Sequence, residues 1–146
     1  MKNNKGFSLV ELIIVIAIMA VLVGVLAPTY LQYVEKSKKA NDVSTVDSII
    51  NAIEIAAIDP VVVTTATAGE TLKVTVKKSG TLFALDPATS EWAKAVKEAV
   101  GDAKLKSFDE VEVTATRTIN GKVSFTYTGA TTQDFKDYAK QITKVS

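Results

Sequence analysis

The sequence predicts an α+β protein, one long N-terminal helix packed on a small antiparallel β-sheet with extra short helices. Three observations carry that prediction. Residues Phe7 to Ala27 form a 21-residue run whose only polar side chains are Ser8 and Glu11. Helical spacing of apolar residues then continues through Val43, Val46, Ile50, Ile53 and Ala57, the stripe of a helix lying on a core. Beyond Asp59-Pro60 the pattern changes to alternating residues punctuated by Gly, Asn and Pro, which is how strands and their turns read. A length of 146 residues suits one domain. The part outside the apolar helix is about 90 residues, near the common size for a single core.

As a helix, Phe7–Ala27 rises about 31 Å at 1.5 Å per residue, which matches a bilayer core of about 30 Å. Carried on to Ile58 without a break, the helix reaches about 78 Å. Residues 7–28 are its membrane-length segment and 29–58 its amphipathic continuation, with Asn41, Asp42, Ser44, Asp47 and Asn51 on the polar faces. Gly24 and Pro28 are the weak points: Pro28 removes the hydrogen bond to the Gly24 carbonyl, and glycine adds backbone entropy. A kink or local melting is predicted there. Pro60 ends the helix, because the residue before a proline avoids helical geometry.

Residues 59–146 form the predicted globular α+β domain. Val61 to Gly69 reads as a loop or a short extended segment. Thr71–Lys78 alternates, with Leu72, Val74 and Val76 on one face and Lys73, Thr75 and Lys77 on the other, a half-buried strand. Ser79-Gly80 is a turn into a paired strand at Thr81–Leu85, which Asp86-Pro87 breaks. Ser90–Val100 reads as a helix capped by Ser90, stopped by Gly101, and turning Trp92, Val96 and Ala99 inward. Val111, Val113 and Ala115, then Val123, Phe125 and Tyr127, alternate on either side of Asn120-Gly121, the signature of a hairpin with a tight primed turn. Thr132–Val145 places Phe135, Tyr138, Ala139 and Ile142 at helical spacing, a closing amphipathic helix.

Composition narrows the chemistry. There is no Cys, hence no thiol nucleophile, thiolate metal site or disulfide, and no His, the usual general base and commonest transition-metal ligand. Lys+Arg is 17 against Asp+Glu 16, so nothing in the balance calls for a nucleic acid or an anionic membrane. No catalytic residue, metal site or cofactor is predicted. Asp109, Glu110 and Glu112 read as a solvated strand face. Asp86 and Asp102 lie on loops but lack the Asp-x-Asp-x-Asn-Gly spacing of a calcium loop. Lys36, Lys38 and Lys39, and again Lys94, Lys97, Lys104 and Lys106, read as solvated helix and loop faces. Trp92 and Tyr138 read as core or rim residues.

The N-terminal segment admits three readings. A secretory signal would be cut near Val25-Leu26-Ala27, yet Glu11 interrupts its apolar run and Pro28 would follow the cut. A plain membrane anchor also leaves Glu11 unexplained, since a carboxylate at membrane depth costs about 2.5–3.5 kcal/mol on insertion scales. Lys2 and Lys5 favour a cytoplasmic N-terminus, while Lys36, Lys38 and Lys39 on the far side weaken that bias. The third reading starts from Lys5-Gly6-Phe7-Ser8-Leu9-Val10-Glu11-Leu12, which resembles the signature of the type IV prepilins.

That resemblance implies a leader of residues 1–6, a cut after Gly6 by a membrane-embedded prepilin peptidase, and N-methylation of Phe7 by the same enzyme. It makes Glu11 the fifth mature residue, needed for filament assembly, and puts Pro28 where these pilins tend to have a helix-loosening proline. The cut creates an α-amino group on Phe7, a cation for Glu11 on the same chain or, by preference, on a neighbouring one. The pilin-like fold follows from the same resemblance.

So does the expected function, a structural subunit of a type IV pilus. Its partners would be other copies of itself in a helical homopolymer, the prepilin peptidase/methyltransferase, a pilus assembly platform, minor pilins, and the membrane before assembly, with no specific nucleic acid. The precursor would be a single-pass cytoplasmic membrane protein and the assembled form a surface filament. Two alternatives stay open, a pseudopilin of a type II secretion or DNA-uptake system and a membrane-anchored extracytoplasmic binding domain. The missing Cys and short leader favour a Gram-positive source. Adhesion, motility, aggregation and DNA uptake are not distinguished by these residues.

Overall fold

The computed structural model describes residues 7–65, 69–86, 90–118, 122–128 and 135–139. Helix α1 spans Leu9–Ala57, close to the expected Phe7–Ile58. Helix α2 covers Pro60–Thr65, followed by strands β1 (Thr71–Lys77) and β2 (Gly80–Asp86), helix α3 (Glu91–Val100), and strands β3 (Glu110–Arg117) and β4 (Val123–Thr128). A helical stretch at 135–139 falls inside the expected closing helix; Ile142 and the rest of that helix lie outside the described residues. The chain divides into two compact units, 1–36 and 37–146, with α1 contributing to each.

In the first unit every described side chain from Phe7 to Tyr33 is exposed. Gly24 and Pro28 are internal residues of α1, which is helical at both. Gly24 has nothing within 4 Å of where a Cβ would stand, so no packing demands a glycine at that position.

In the second unit the strands form one antiparallel sheet in the order β2-β1-β3-β4. The register sets Leu72 opposite Ala115, Val74 opposite Val113 and Val76 opposite Val111, all buried. Alternation in two strands thus converges on one apolar face. Against it pack Val43, Val46, Ile49, Ile53, Ala56 and Ala57 of α1 and Trp92, Ala93 and Val96 of α3. Each such aliphatic side chain contributes about 1.5–3 kcal/mol of burial. The Trp92 indole N–H donates to the Ile53 carbonyl at 3.1 Å, so the ring is buried without losing its polar partner.

Several expectations are corrected. Residues 60–65 are helix rather than loop or strand. Asp59 caps them by accepting the Val61 N–H at 2.8 Å, and Pro60 occupies the first helical position, where its missing N–H costs nothing. On α1 the stripe is wider than expected, with Ile49 and Ala56 buried and Ile50 only half-buried. Asp42, assigned to the polar face, is fully buried. On α3 Ala93 is buried and Ala99 is exposed, a rotation of the inner face by about one residue. Thr75 is buried in addition to its apolar neighbours on β1. The caps of α3 are as expected: Ser90 accepts from the Ala93 N–H, and Gly101, at φ +61°, sends its own N–H to the Lys97 carbonyl. The Asn120-Gly121 turn lies outside the described residues.

Candidate functional site: the N-terminal helix and its anchoring to the globular unit

Gly6 lies outside the described residues, and Phe7 precedes the helix with 94% of its surface exposed. The helix start is built by Ser8 and Glu11. The Glu11 carboxylate accepts the Ser8 backbone N–H at 2.9 Å, and the Ser8 hydroxyl accepts the Val10 N–H at 3.4 Å. This is a capping-box pairing, in which a glutamate three residues into the helix satisfies an amide that has no intrahelical partner. Glu11 therefore has a neutral partner within its own chain, the Ser8 amide, where the sequence suggested only a cation. The signal was legible as Ser8-x-x-Glu11 ahead of an apolar run.

From Leu9 onward the helix is apolar on all sides. Leu12, Ile13, Ile14, Val15, Ile16 and Ile18 are each at least half exposed. Among the described residues α1 alone is long and apolar enough to cross a membrane. A surface of this kind is not stable in water; it requires lipid or other protein against it.

The second unit is locked onto its part of α1 by a buried carboxylate. Asp42 accepts the backbone N–H of Lys106 at 2.7 Å through Oδ1, and those of Ser107 at 2.7 Å and Phe108 at 2.9 Å through Oδ2. Three donors compensate for removing the charge from water. Beside it the Lys39 ammonium stands 5.8 Å from the centres of the Phe108 and Tyr138 rings, and Phe108 meets Phe135 edge-to-face at 5.3 Å. Lys39, read as a solvated lysine, is thus half-buried in a cation–π contact.

A second buried pair joins the end of β3 to the segment before β1. Arg117 and Glu70 are 1% and 7% exposed, with Nη1 and Oε2 4.0 Å apart. Arg117 Nη1 donates to the Val62 carbonyl at 3.2 Å, while Arg117 Nε and Nη2 and Glu70 Oε2 have no hydrogen-bond partner among the described residues. Neither residue was singled out from sequence, although parity points to both: Arg117 continues Val111, Val113 and Ala115, and Glu70 precedes Leu72 and Val74.

The surface acids are paired. Lys77 meets Glu110 at 2.9 Å directly across the β1–β3 register, Lys73 meets Glu112 at 2.8 Å, and Lys78 meets Asp109 at 2.6 Å. Asp102 lies 3.3 Å from Lys104, and Lys94 is 2.6 Å from Glu91. Among the described residues no group of three acidic, His or Cys side chains could hold a metal. Desolvation on α1 raises the Asp47 carboxyl above its ordinary value.

Residues 1–27 match the family described as the prokaryotic N-terminal methylation motif. Two fimbrial proteins of Pseudomonas aeruginosa are 37% identical over 59 residues, covering 40% of this chain and 38% of theirs. The type IV wide pilus major component PilA4 of Thermus thermophilus is 55% identical over 42 residues, 29% of this chain and 30% of its own. The chain thus spans well under half the length of the curated relatives it matches. No solved structure matches significantly, and the matches lend no support to a Gram-positive source. Residues 1–27 thus carry the prokaryotic N-terminal methylation motif, and part of the chain is similar to these fimbrial proteins and to this type IV pilus component.

Proposed function

We propose that this chain is the structural subunit of a type IV pilus. It is made as a membrane-anchored prepilin with a cytoplasmic N-terminus, cut between Gly6 and Phe7, N-methylated on Phe7, and polymerised through α1. The observation that supports this most is the exposed apolar surface of α1 from Leu9 to Tyr33, continuous with a segment that matches the methylation motif. Lipid covers that surface in the precursor, and the helices of neighbouring subunits cover it in the filament. A bend at Gly24 and Pro28 lets the helix adjust as it passes from one surrounding to the other.

Glu11 has a separate part in each state. Before the cut it caps its own helix through Ser8. After the cut the methylated amine of Phe7 supplies a cation, and a neighbour's amine meeting Glu11 fixes the axial stagger, because any other stagger buries an unpaired charge. A repeated head-to-tail step does not close, so it generates a fibre. A prepilin peptidase/methyltransferase, an assembly platform and minor pilins are the partners this route requires.

The test is the intact mass and N-terminal sequence of the protein sheared from the surface of its native host. A chain beginning with N-methylated Phe7 in long fibres supports the reading. The same N-terminus in a protein that forms no long surface fibre would make it a pseudopilin. A chain beginning at Met1 and held in the membrane, or one beginning at Pro28, would overturn it.

A further inference from the structure

Between the C-terminal half of α1 and helix α3 runs an open groove of about 490 Å³, walled by Ala52, Ile55, Ala56 and Asp59 on one side and Ala95 and Ala99 on the other. Four of the eight lining residues are alanines, whose small side chains leave room in the groove, and the polar Ser48 and Asn51 complete the wall. Ile55 in this wall is 68% exposed, a large aliphatic side chain on the water-facing surface of a folded unit. The lining carries one charge, the Asp59 carboxylate.

We propose that this groove seats a second copy of this chain, entered by residues 30–38 of that copy's α1. The inference rests on the filament reading above and names the contact by which one subunit holds another outside the membrane-length segment. Just past that segment, α1 exposes three large side chains, Tyr30, Leu31 and Tyr33, by 67%, 66% and 70%. Aromatic rings against alanine side chains are the complement of sizes that such a groove admits. The exposed Lys38 follows the tyrosines, as Asp59 follows Ala52.

Spacing decides the direction and the register. Tyr30 to Lys38 is about 12 Å along a helix, and Ala52 to Ala57 at the end of α1 about 7.5 Å, with Asp59 two residues beyond. With the two helices parallel, Tyr30 reaches Ala52 as Lys38 reaches Asp59. Antiparallel, the lysine falls at the opposite end of the groove from the carboxylate. Parallel docking offsets the two copies by 22 residues of helix, about 33 Å. One copy gives residues 30–38 and the next gives the groove, a heterologous contact that leaves each copy with one unused seat and so propagates.

The chain has no cysteine, so introduced thiols report one pair at a time. Filaments of full-length chain carrying Tyr30→Cys and Ala52→Cys together are expected to oxidise into a ladder of dimers, trimers and higher species, at least tenfold above either single variant. Unmodified filaments treated with a carbodiimide are expected to link Lys38 to Asp59, and co-assembly of isotopically light and heavy chains shows whether the link joins two copies. Filaments beginning at methylated Phe7 that show neither the ladder nor the intermolecular Lys38–Asp59 link would overturn the seat while leaving the filament reading intact. A stronger ladder from Tyr30→Cys with Ser48→Cys would overturn the register. A protein that makes no filament and keeps Met1 would overturn the filament reading, and the seat with it.

Discussion

The Asp42 carboxylate accepts the backbone N–H of Phe108 at 2.9 Å, across 66 residues of sequence, while sharing itself with the amides of Lys106 and Ser107. One buried side chain thereby ties the loop between α3 and β3 to α1. Asp42→Ala strands three amides at once, and each buried unsatisfied donor costs about 1–3 kcal/mol. We expect the urea midpoint of the full-length chain in detergent, followed by the single buried Trp92, to fall by the equivalent of roughly 3 kcal/mol or more. Asp42→Asn keeps part of the acceptor capacity and should lose less.

Glu11 separates two roles that its position combines. Glu11→Gln retains a carbonyl to accept the Ser8 amide, as capping boxes allow, but removes the charge. Glu11→Ala removes both. Both variants are expected to be cleaved and methylated normally, and both to lose filaments at least tenfold. Normal filament yield from Glu11→Gln would assign the role to helix capping, and abundant normal filaments from Glu11→Ala would end the register argument.

Arg117 and Glu70 form a buried pair in which three polar atoms have no hydrogen-bond partner among the described residues. Removing one partner leaves the other charge buried alone, at a cost of about 3–5 kcal/mol. Arg117→Met should therefore destabilise strongly by urea unfolding. The double variant Glu70→Leu/Arg117→Met should recover most of that loss, because both desolvation costs vanish together.

Gly80 opens β2 at φ +141°, and a Cβ there would stand 2.5 Å from Asp102 Oδ1. Gly80→Ala combines backbone strain with a steric clash and should cost about 1–3 kcal/mol by the same measurement. Asp102→Ala in that background relieves the clash and leaves the strain, so recovery should be partial.

Asp47 gives a pH-dependent effect. Desolvation raises its folded-state pKa above the ordinary 3.8, so the charged form is disfavoured in the native protein. Its penalty is fully present above the folded pKa and is relieved as pH falls through that value towards the unfolded one. Asp47→Asn should be slightly more stable than the parent at neutral pH, with the difference shrinking as pH falls through the folded pKa and gone only below the unfolded value of 3.8.

Most of the fold was legible because it is written in short-range periods. The helical spacing of Val43, Val46 and Ile53 and the alternation of Leu72, Val74 and Val76 each identify an element and its buried face without reference to the rest of the chain. The caps Ser90 and Gly101 are local for the same reason. Where local patterns compete, the sequence is ambiguous. The run after Pro60 is Val- and Thr-rich, a composition that suits a strand, yet the Asp59 cap and Pro60 at the first position start a helix. Ala99 and Ala93 are equally apolar, and only the packing of α3 chooses between them.

By itself the sequence determined the N-terminal helix, its all-round apolar surface and its processing signature, because these depend on composition and spacing within a few turns. Tertiary structure alone decided the strand order β2-β1-β3-β4 and the burial of Asp42, Glu70 and Arg117. It also decided that Lys39 lies over Phe108 and Tyr138. Each of these depends on groups tens of residues apart. A polar side chain reads as solvent-facing until the chain folds and supplies the amide, carbonyl or ring that makes its burial tolerable.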